Sequence, residues 1–190
     1  MPKFQTGGVE FLETAPHHFS TEVEIAGNID LVWSILTDNS TWVEWFENCA
    51  YVSADDNEWT EVGQPRTLKT TPFVLVETLL AVDASNRSMM YELNHSNLPM
   101  ANCITESLEL TDTSRNGEDF TKIHWNAGFK PLWYLAPFAF VNRYLMTRTW
   151  TRSLGRAPSI AFAIRCDIFA GIWRYRQAQL LLPHARRRWS

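Results

Sequence analysis

The alternation of apolar and polar residues changes period several times along this chain, and each change marks a predicted element. Thr21 to Ile25 alternates with Val23 and Ile25 on one face, as a half-buried strand does. Asn28 then offers a helix cap, Asp30 suits the positive end of the helix dipole, and Ile29, Val32, Trp33 and Leu36 recur at helical spacing. After the break Asp38-Asn39-Ser40, a short segment crowds Trp42, Trp45 and Phe46 together. Ala50–Ser53 and Arg66–Thr71 read as short strands joined by an acidic loop with Asp55, Asp56, Glu58 and Glu61. Phe73–Asp83 and Met89–His95 read as a hairpin turning at Asn86-Arg87, and two further strands follow around Asn102–Leu110 and Ile123–Phe129. From about Pro137 the period becomes helical.

Strand phase predicts which side chains point inward, because a period of two divides each strand between two faces. Met89, Tyr91, Leu93 and His95 share one face, and Asn102, Ile104, Glu106, Leu108 and Leu110 share another whose apolar majority turns it inward. Ile123, Trp125, Ala127 and Phe129 do the same in the last strand, which leaves His124 outside. Phe138, Val141, Asn142, Leu145 and Thr149 form one helical stripe, with Phe140, Tyr144 and Thr151 beside it, so this wide face is expected to be gripped by the sheet. Trp133 and Tyr134 are placed to form part of an entrance, and Leu98-Pro99-Met100-Ala101-Asn102 to form either a rim with Met100 as its soft lip or an ordinary hairpin loop.

Glu106 and His95 are the candidates for chemistry. An inward carboxylate must pair, meet water or take up a proton, and a carboxylate tuned in this way is the usual form of a general acid or base. Orientation of a polar ligand atom, proton transfer during an aldol-type ring closure, and a structural hydrogen bond are all open to this pair. Tyr91 offers a ring with a single polar handle, and core packing alone also accounts for it.

Several of these features occur together in the START-like (SRPBCC) superfamily. They are Leu31-Val32-Trp33-Ser34-Ile35-Leu36, Trp42-Val43-Glu44-Trp45-Phe46, Arg66, Glu77, the turn from Val82 to Arg87, Tyr91-Glu92-Leu93, the Leu98–Asn102 loop, and Trp125–Pro131. In that order and spacing they resemble its polyketide cyclase/dehydrase and lipid-transport family over roughly Ser20 to Leu154. The resemblance implies an α+β helix-grip fold, a curved antiparallel sheet wrapped around a long C-terminal helix, with a ligand cavity between them. Its lining is expected from Trp42, Trp45, Phe46, Tyr91, Leu93, His95, Met100, Ile104, Glu106, Leu108, Trp125, Phe129, Phe138, Val141, Asn142, Tyr144 and Leu145. It does not imply one reaction, because a fold hosts many functions.

The chain has 190 residues, enough for one domain, and nine Trp, more than a small core needs, so some should line a cavity or interface. We read residues 1–18 as a loose leader, 19–156 as the ligand-binding domain and 157–190 as an atypical basic and apolar extension. Gly155-Arg156-Ala157-Pro158 should end or kink the long helix, and a second helix is expected from Ser159. Arg165 and Asp167 interrupt that helix too much for a bilayer span, leaving an in-plane membrane helix, a dimer contact, a lid or an altered reading frame.

Charge is divided unevenly. Residues 1–140 carry 7 Lys/Arg against 20 Asp/Glu, and residues 141–190 carry 10 against 1. An acidic body argues against nucleic acid as a partner, while the basic end can meet a membrane surface or complement its own acidic domain. Three widely spaced cysteines, Cys49, Cys103 and Cys166, suit a reducing compartment, and with no secretory signal visible a cytoplasmic location is expected. His17-His18 has no further ligand at useful spacing, so neither a metal nor any other cofactor is expected. Gly-x-Ser-x-Gly, P-loop, Gly-x-Gly-x-x-Gly and paired-cysteine motifs are missing, which removes the common hydrolase, nucleotide and zinc readings. A binder of a hydrophobic small molecule leads, followed by a cyclase or dehydrase using Glu106, His95 or Tyr91, and a membrane-associated or oligomeric accessory protein acting through the basic tail.

Overall fold

Seven strands pair in the order β1-β7-β6-β5-β4-β3-β2, all antiparallel, so the first strand closes against the last. The computed structural model describes residues 3–97, 99, 101–154 and 156, and only the backbone of Asn142. The expected lip at Met100, the Asn142 side chain, Cys166 and the extension 157–190 with its second helix therefore lie outside the described residues. The strands are β1 (His17–Ala26), β2 (Cys49–Ala54), β3 (Pro65–Thr70), β4 (Phe73–Asp83), β5 (Ser88–Ser96), β6 (Ala101–Asp112) and β7 (Phe120–Pro131). The helices are α1 (Phe11–Thr14), α2 (Ile29–Thr37), α3 (Trp42–Trp45) and the long α4 (Ala139–Leu154).

Local chemistry sets these boundaries. Asn28 Oδ1 accepts from the Asp30 N–H at 2.8 Å, so the side chain expected to cap α2 does so. Val32, Trp33 and Leu36 bury the apolar stripe of that helix. Trp42 Nε1 donates to Leu36 O at 3.0 Å and Trp45 Nε1 to Thr41 Oγ1 at 3.3 Å. Two indoles thereby enter the core with their polar edges satisfied.

The sheet is α4's bed, but α4 is gripped by a different face from the expected one. Ala139, Trp150, Ser153 and Leu154 are buried, with Met146 packed against the core, whereas Phe138, Phe140, Val141, Tyr144 and Leu145 are exposed. The expectation followed the greasiest stripe, and the buried face is the neighbouring one, anchored by a single indole. Trp150 stacks on Trp125 with centroids 4.5 Å apart, and Ser153 Oγ accepts the Glu47 N–H at 2.9 Å.

Residues 3–15 are also unlike a loose leader, because the first of them bridge the ends of β5 and β6 and α1 packs on β7 and β6. Phe4 N–H donates to Asn94 O at 2.7 Å and Gln5 N–H to Asn102 O at 2.6 Å, and Phe4 is itself buried. The outward Glu92 carboxylate, also buried, accepts from the N–H groups of Gly7 at 3.0 Å and Gly8 at 3.2 Å. Gly7 is needed for closeness: a Cβ there would sit 2.6 Å from Cys103 Sγ and 2.7 Å from Phe11 Cβ. Gly7→Ala is accordingly expected to destabilise the fold by about 1–3 kcal/mol in urea unfolding, the usual cost of overpacking. An unchanged midpoint would mean that this clasp does not seat on the sheet.

Candidate functional site

A cavity of about 170 Å³ lies between the concave face of the sheet and α4. Phe19, Leu68, Leu75, Leu93, Ile104 and Phe129 form its sheet walls, Trp42 and Phe46 close one side from α3 and the residue after it, and Met146, Thr149 and Trp150 form its roof. Thr71 and Leu145 line it and are exposed, which places its mouth between the β3–β4 turn and α4. Two carboxylates on the sheet, Glu77 and Glu106, interrupt a mostly apolar lining, and Glu47, Asn48, Thr70, Thr71 and Thr149 add polar groups around it.

Strand phase explains most of this. Tyr91 pairs with Glu106, Ile104 with Phe129, Glu106 with Ala127 and Leu108 with Trp125, so these rows face the same way, as the sequence pattern requires. Trp42, Phe46, Leu93, Ile104, Glu106, Phe129 and Leu145 reach the cavity surface. Trp45, Tyr91, Leu108 and Trp125 are fully buried in the layer behind it. Phe138, Val141 and Tyr144 point to solvent on the far side of α4.

His95 does not join Glu106. Across β4 and β5, Glu77 pairs with Leu93 but Val76 pairs with His95, so Asn94 is an extra residue in the ladder. A bulge of this kind reverses the phase, turning His95 to the outer face and Ser96 inward. The same thing happens in β6, where Ala101 pairs with Pro131 and Cys103 with Lys130, so that Ala101 reaches the cavity in place of Asn102.

The polar centre of the site is one that the sequence pattern left unassigned. Arg66 is 1% exposed, and its guanidinium lies 3.4 Å from the ring centroid of Trp59 and 3.8 Å from that of Trp42. Its Nε donates to Glu77 Oε2 at 2.7 Å. A cation between two indoles gains from both ring faces, and its planar head suits the gap. Arg66 and Glu77 are direct cross-strand partners. An Arg in phase with Leu68, opposite a Glu on the next strand, was the signal available in the sequence. Trp150 left a weaker trace, its spacing from Ala139 and Met146.

One cation serves two carboxylates here, and Glu77 takes it. Burial, first, and the nearby Glu77 charge, second, push the Glu106 carboxyl up to about 8. Arg66 pulls it back less strongly, as do the neighbouring Tyr91 hydroxyl and a hydrogen bond from Trp125, whose Nε1 donates to Glu106 Oε2 at 3.1 Å. At neutral pH Glu106 therefore carries a proton and can donate a hydrogen bond to an acceptor. Burial and the same two carboxylates hold the Tyr91 hydroxyl proton on. Among the described residues no cluster of three or more His, Cys, Asp or Glu can hold a metal, and none of their helices is long and apolar enough to cross a membrane.

Residues 16–157 match the family model described as polyketide cyclase / dehydrase and lipid transport. The chain belongs to this family. Solved structures agree on the fold. XoxI from Bacillus cereus is 15% identical, with a TM-score of 0.62 over 78% of this chain and 97% of that one. A START superfamily protein from Mycobacterium smegmatis is 13% identical, with a TM-score of 0.60 over 78% of this chain and 99% of that one. The ginseng major latex-like protein 151 from Panax ginseng is 13% identical, with a TM-score of 0.56 over 73% and 94%. The fold is the START-like helix grip of this polyketide cyclase/dehydrase and lipid-transport family. No curated protein matches the chain.

Proposed function

We propose that this family member binds a hydrophobic small molecule, an aromatic or polyketide-like compound or the end of a lipid, between its sheet and α4. The observation that carries the reading is an apolar cavity of about 170 Å³ with a protonated carboxyl on its wall. An engineered apolar cavity of about 150 Å³ in another protein takes up benzene, whereas drug-sized ligands occupy roughly 300–1,000 Å³. In this conformation the space therefore suits one ring or a chain end, and a larger ligand must push α4 outward. Glu106 would meet a carbonyl or hydroxyl on that ligand.

Small cyclic and aromatic ketones or phenols are expected to raise Tm. A ligand at about 100 times its Kd adds about 2.7 kcal/mol, which is several degrees for a domain of this size. Leu93→Trp, which fills the cavity from a wall residue, should abolish the shift while leaving the circular dichroism unchanged. Mass spectrometry of small molecules extracted from the purified protein would name the natural occupant. A broad ligand set that leaves Tm unmoved, with nothing extracted, would overturn the reading.

A second reading, an enzyme of the polyketide cyclase or dehydrase type, is favoured by one observation. A carboxyl held near pH 8 in an apolar site is matched to proton transfer at neutral pH. Glu106 would protonate a carbonyl oxygen as an enol carbon of the same poly-ketone adds to that carbonyl's carbon, and the enol O–H proton would return to the Glu106 carboxylate. Turnover of a poly-ketone substrate, lost in Glu106→Gln, tests it, and unchanged products in that variant would remove Glu106 from the chemistry.

A further inference from the structure

We propose that the outer face of α4, with the loop before it, docks on an anionic lipid surface and brings the cavity mouth beside the bilayer. Trp133, Tyr134, Phe138, Phe140, Tyr144 and Leu145 are all exposed, Trp133 by 84% and Phe140 by 70%. At roughly 150–250 Å² per aromatic side chain, these exposures expose on the order of 600–800 Å² of mostly apolar area. That is more than the largest patch of an ordinary monomer, so the face calls for a partner.

The chemistry of the patch selects the partner. Trp and Tyr prefer the headgroup region of a bilayer, where a ring is buried and its polar edge stays wet. Phe140, Tyr144 and Arg148 follow one another at four-residue spacing on α4, so a cation ends the aromatic stripe. Arg148 is exposed and forms no ion pair with a carboxylate among the described residues, whereas Lys130 lies beside Cys103 on the other face of the sheet and Arg143 lies on the β1 side near Glu13. A side chain such as Arg148 lays its stem along an apolar contact and keeps its charge at the phosphates. No Asp or Glu occurs between Asp119 and Asp167, although the rest of the chain is acidic. A helix both greasy on its outer face and free of acid along its own length is complementary to an anionic bilayer.

The other occupants fit less well. Residues 157–190 hold six Arg and a single Asp, so laying them over this face would add like charge to its cation. A second copy presenting the same face would set Arg148 near Arg148. Leu145 belongs both to the exposed stripe and to the cavity lining. A molecule leaving a docked bilayer would therefore enter past Leu145, which assigns the helix face the role of a loading surface. Docking follows from the surface alone, whereas the loading role rests on the ligand binding proposed above.

The test is co-sedimentation of the full chain with vesicles containing phosphatidylglycerol, against vesicles of phosphatidylcholine alone. Binding is expected to the anionic vesicles only, to fall as salt rises, and to weaken about tenfold or more in Trp133→Ala/Phe140→Ala. Arg148→Glu should weaken it about fivefold or more. Because all three side chains are exposed, their urea midpoints should match the wild type. No binding to anionic vesicles overturns the proposal. So does binding that both variants leave intact, which would assign it to residues 157–190. A concentration-dependent dimer abolished by Trp133→Ala/Phe140→Ala, without vesicle binding, also overturns it.

Discussion

Arg66→Met is expected to destabilise the protein by about 3–5 kcal/mol, measured as a shift of the urea unfolding midpoint at neutral pH. The Met side chain keeps most of the aliphatic stem between the rings, so the loss is chiefly electrostatic. Two indole faces lose the cation that lies 3.4 Å and 3.8 Å from their centroids. The larger cost falls on Glu77, only 4% exposed, which would be left as a buried carboxylate beside Glu106 with no counter-charge. The double variant Arg66→Met/Glu77→Leu should recover most of the loss, because removing both partners of a buried pair is often close to neutral. Met in place of Arg66 within about 1 kcal/mol of the wild type would mean that the pair is not desolvated as the structure describes.

The same pair explains why a charged group sits beneath a ligand cavity. Glu77 is part of the lining, and Arg66 lies behind it, held flat between Trp42 and Trp59. Neutralising one carboxylate leaves the other, Glu106, to be held in its protonated form. A site with one fixed ion pair and one movable proton can present a hydrogen-bond donor to a ligand without carrying net negative charge into an apolar space.

How far the sequence discloses this arrangement depends on which physical rule acts at each position. Where the strand ladder is unbroken, alternation alone puts Tyr91, Ile104, Glu106 and Trp125 on the face they occupy, because period two admits only one alternative and burial rejects it. At His95 and Asn102 the rule fails, since the register slips at those points and a single extra residue exchanges the two faces. Neither extra residue is itself a glycine or proline, and only the second site has prolines nearby, Pro99 before Ala101 and Pro131 opposite it. In α4 the periodicity was legible but its meaning was not. Two apolar faces were present, and the one with the greater hydrophobic area, from Phe138 to Leu145, is the one left in solvent. Core-seeking logic cannot separate a face bound for the core from one bound for a partner. The clasp at residues 3–15 is invisible for another reason: Gly7 and Glu92 meet across 85 positions of sequence, and no local pattern encodes that contact.

Glu106→Gln is expected to flatten the dependence of stability on pH. In the folded protein the carboxyl titrates at about 8, against 4.5 for an ordinary glutamate. The native state thus keeps a proton that the unfolded chain releases above about 4.5, and stability must fall as pH rises between those values. The contribution is fully present below about 4.5 and lost once pH passes about 8. At about 1.36 kcal/mol per unit, the window amounts to roughly 3–5 kcal/mol. Gln keeps the carbonyl that accepts from Trp125 Nε1 and cannot ionise, so its unfolding free energy should overtake the wild type as pH rises through neutrality. The five histidines and every other titrating group are common to both proteins and cancel in the difference curve. Parallel curves between pH 5 and pH 9 would mean that Glu106 is hydrated and ionised in the native state. The cavity would then present a carboxylate anion, and the proton invoked both for binding an acceptor and for acid catalysis would be gone.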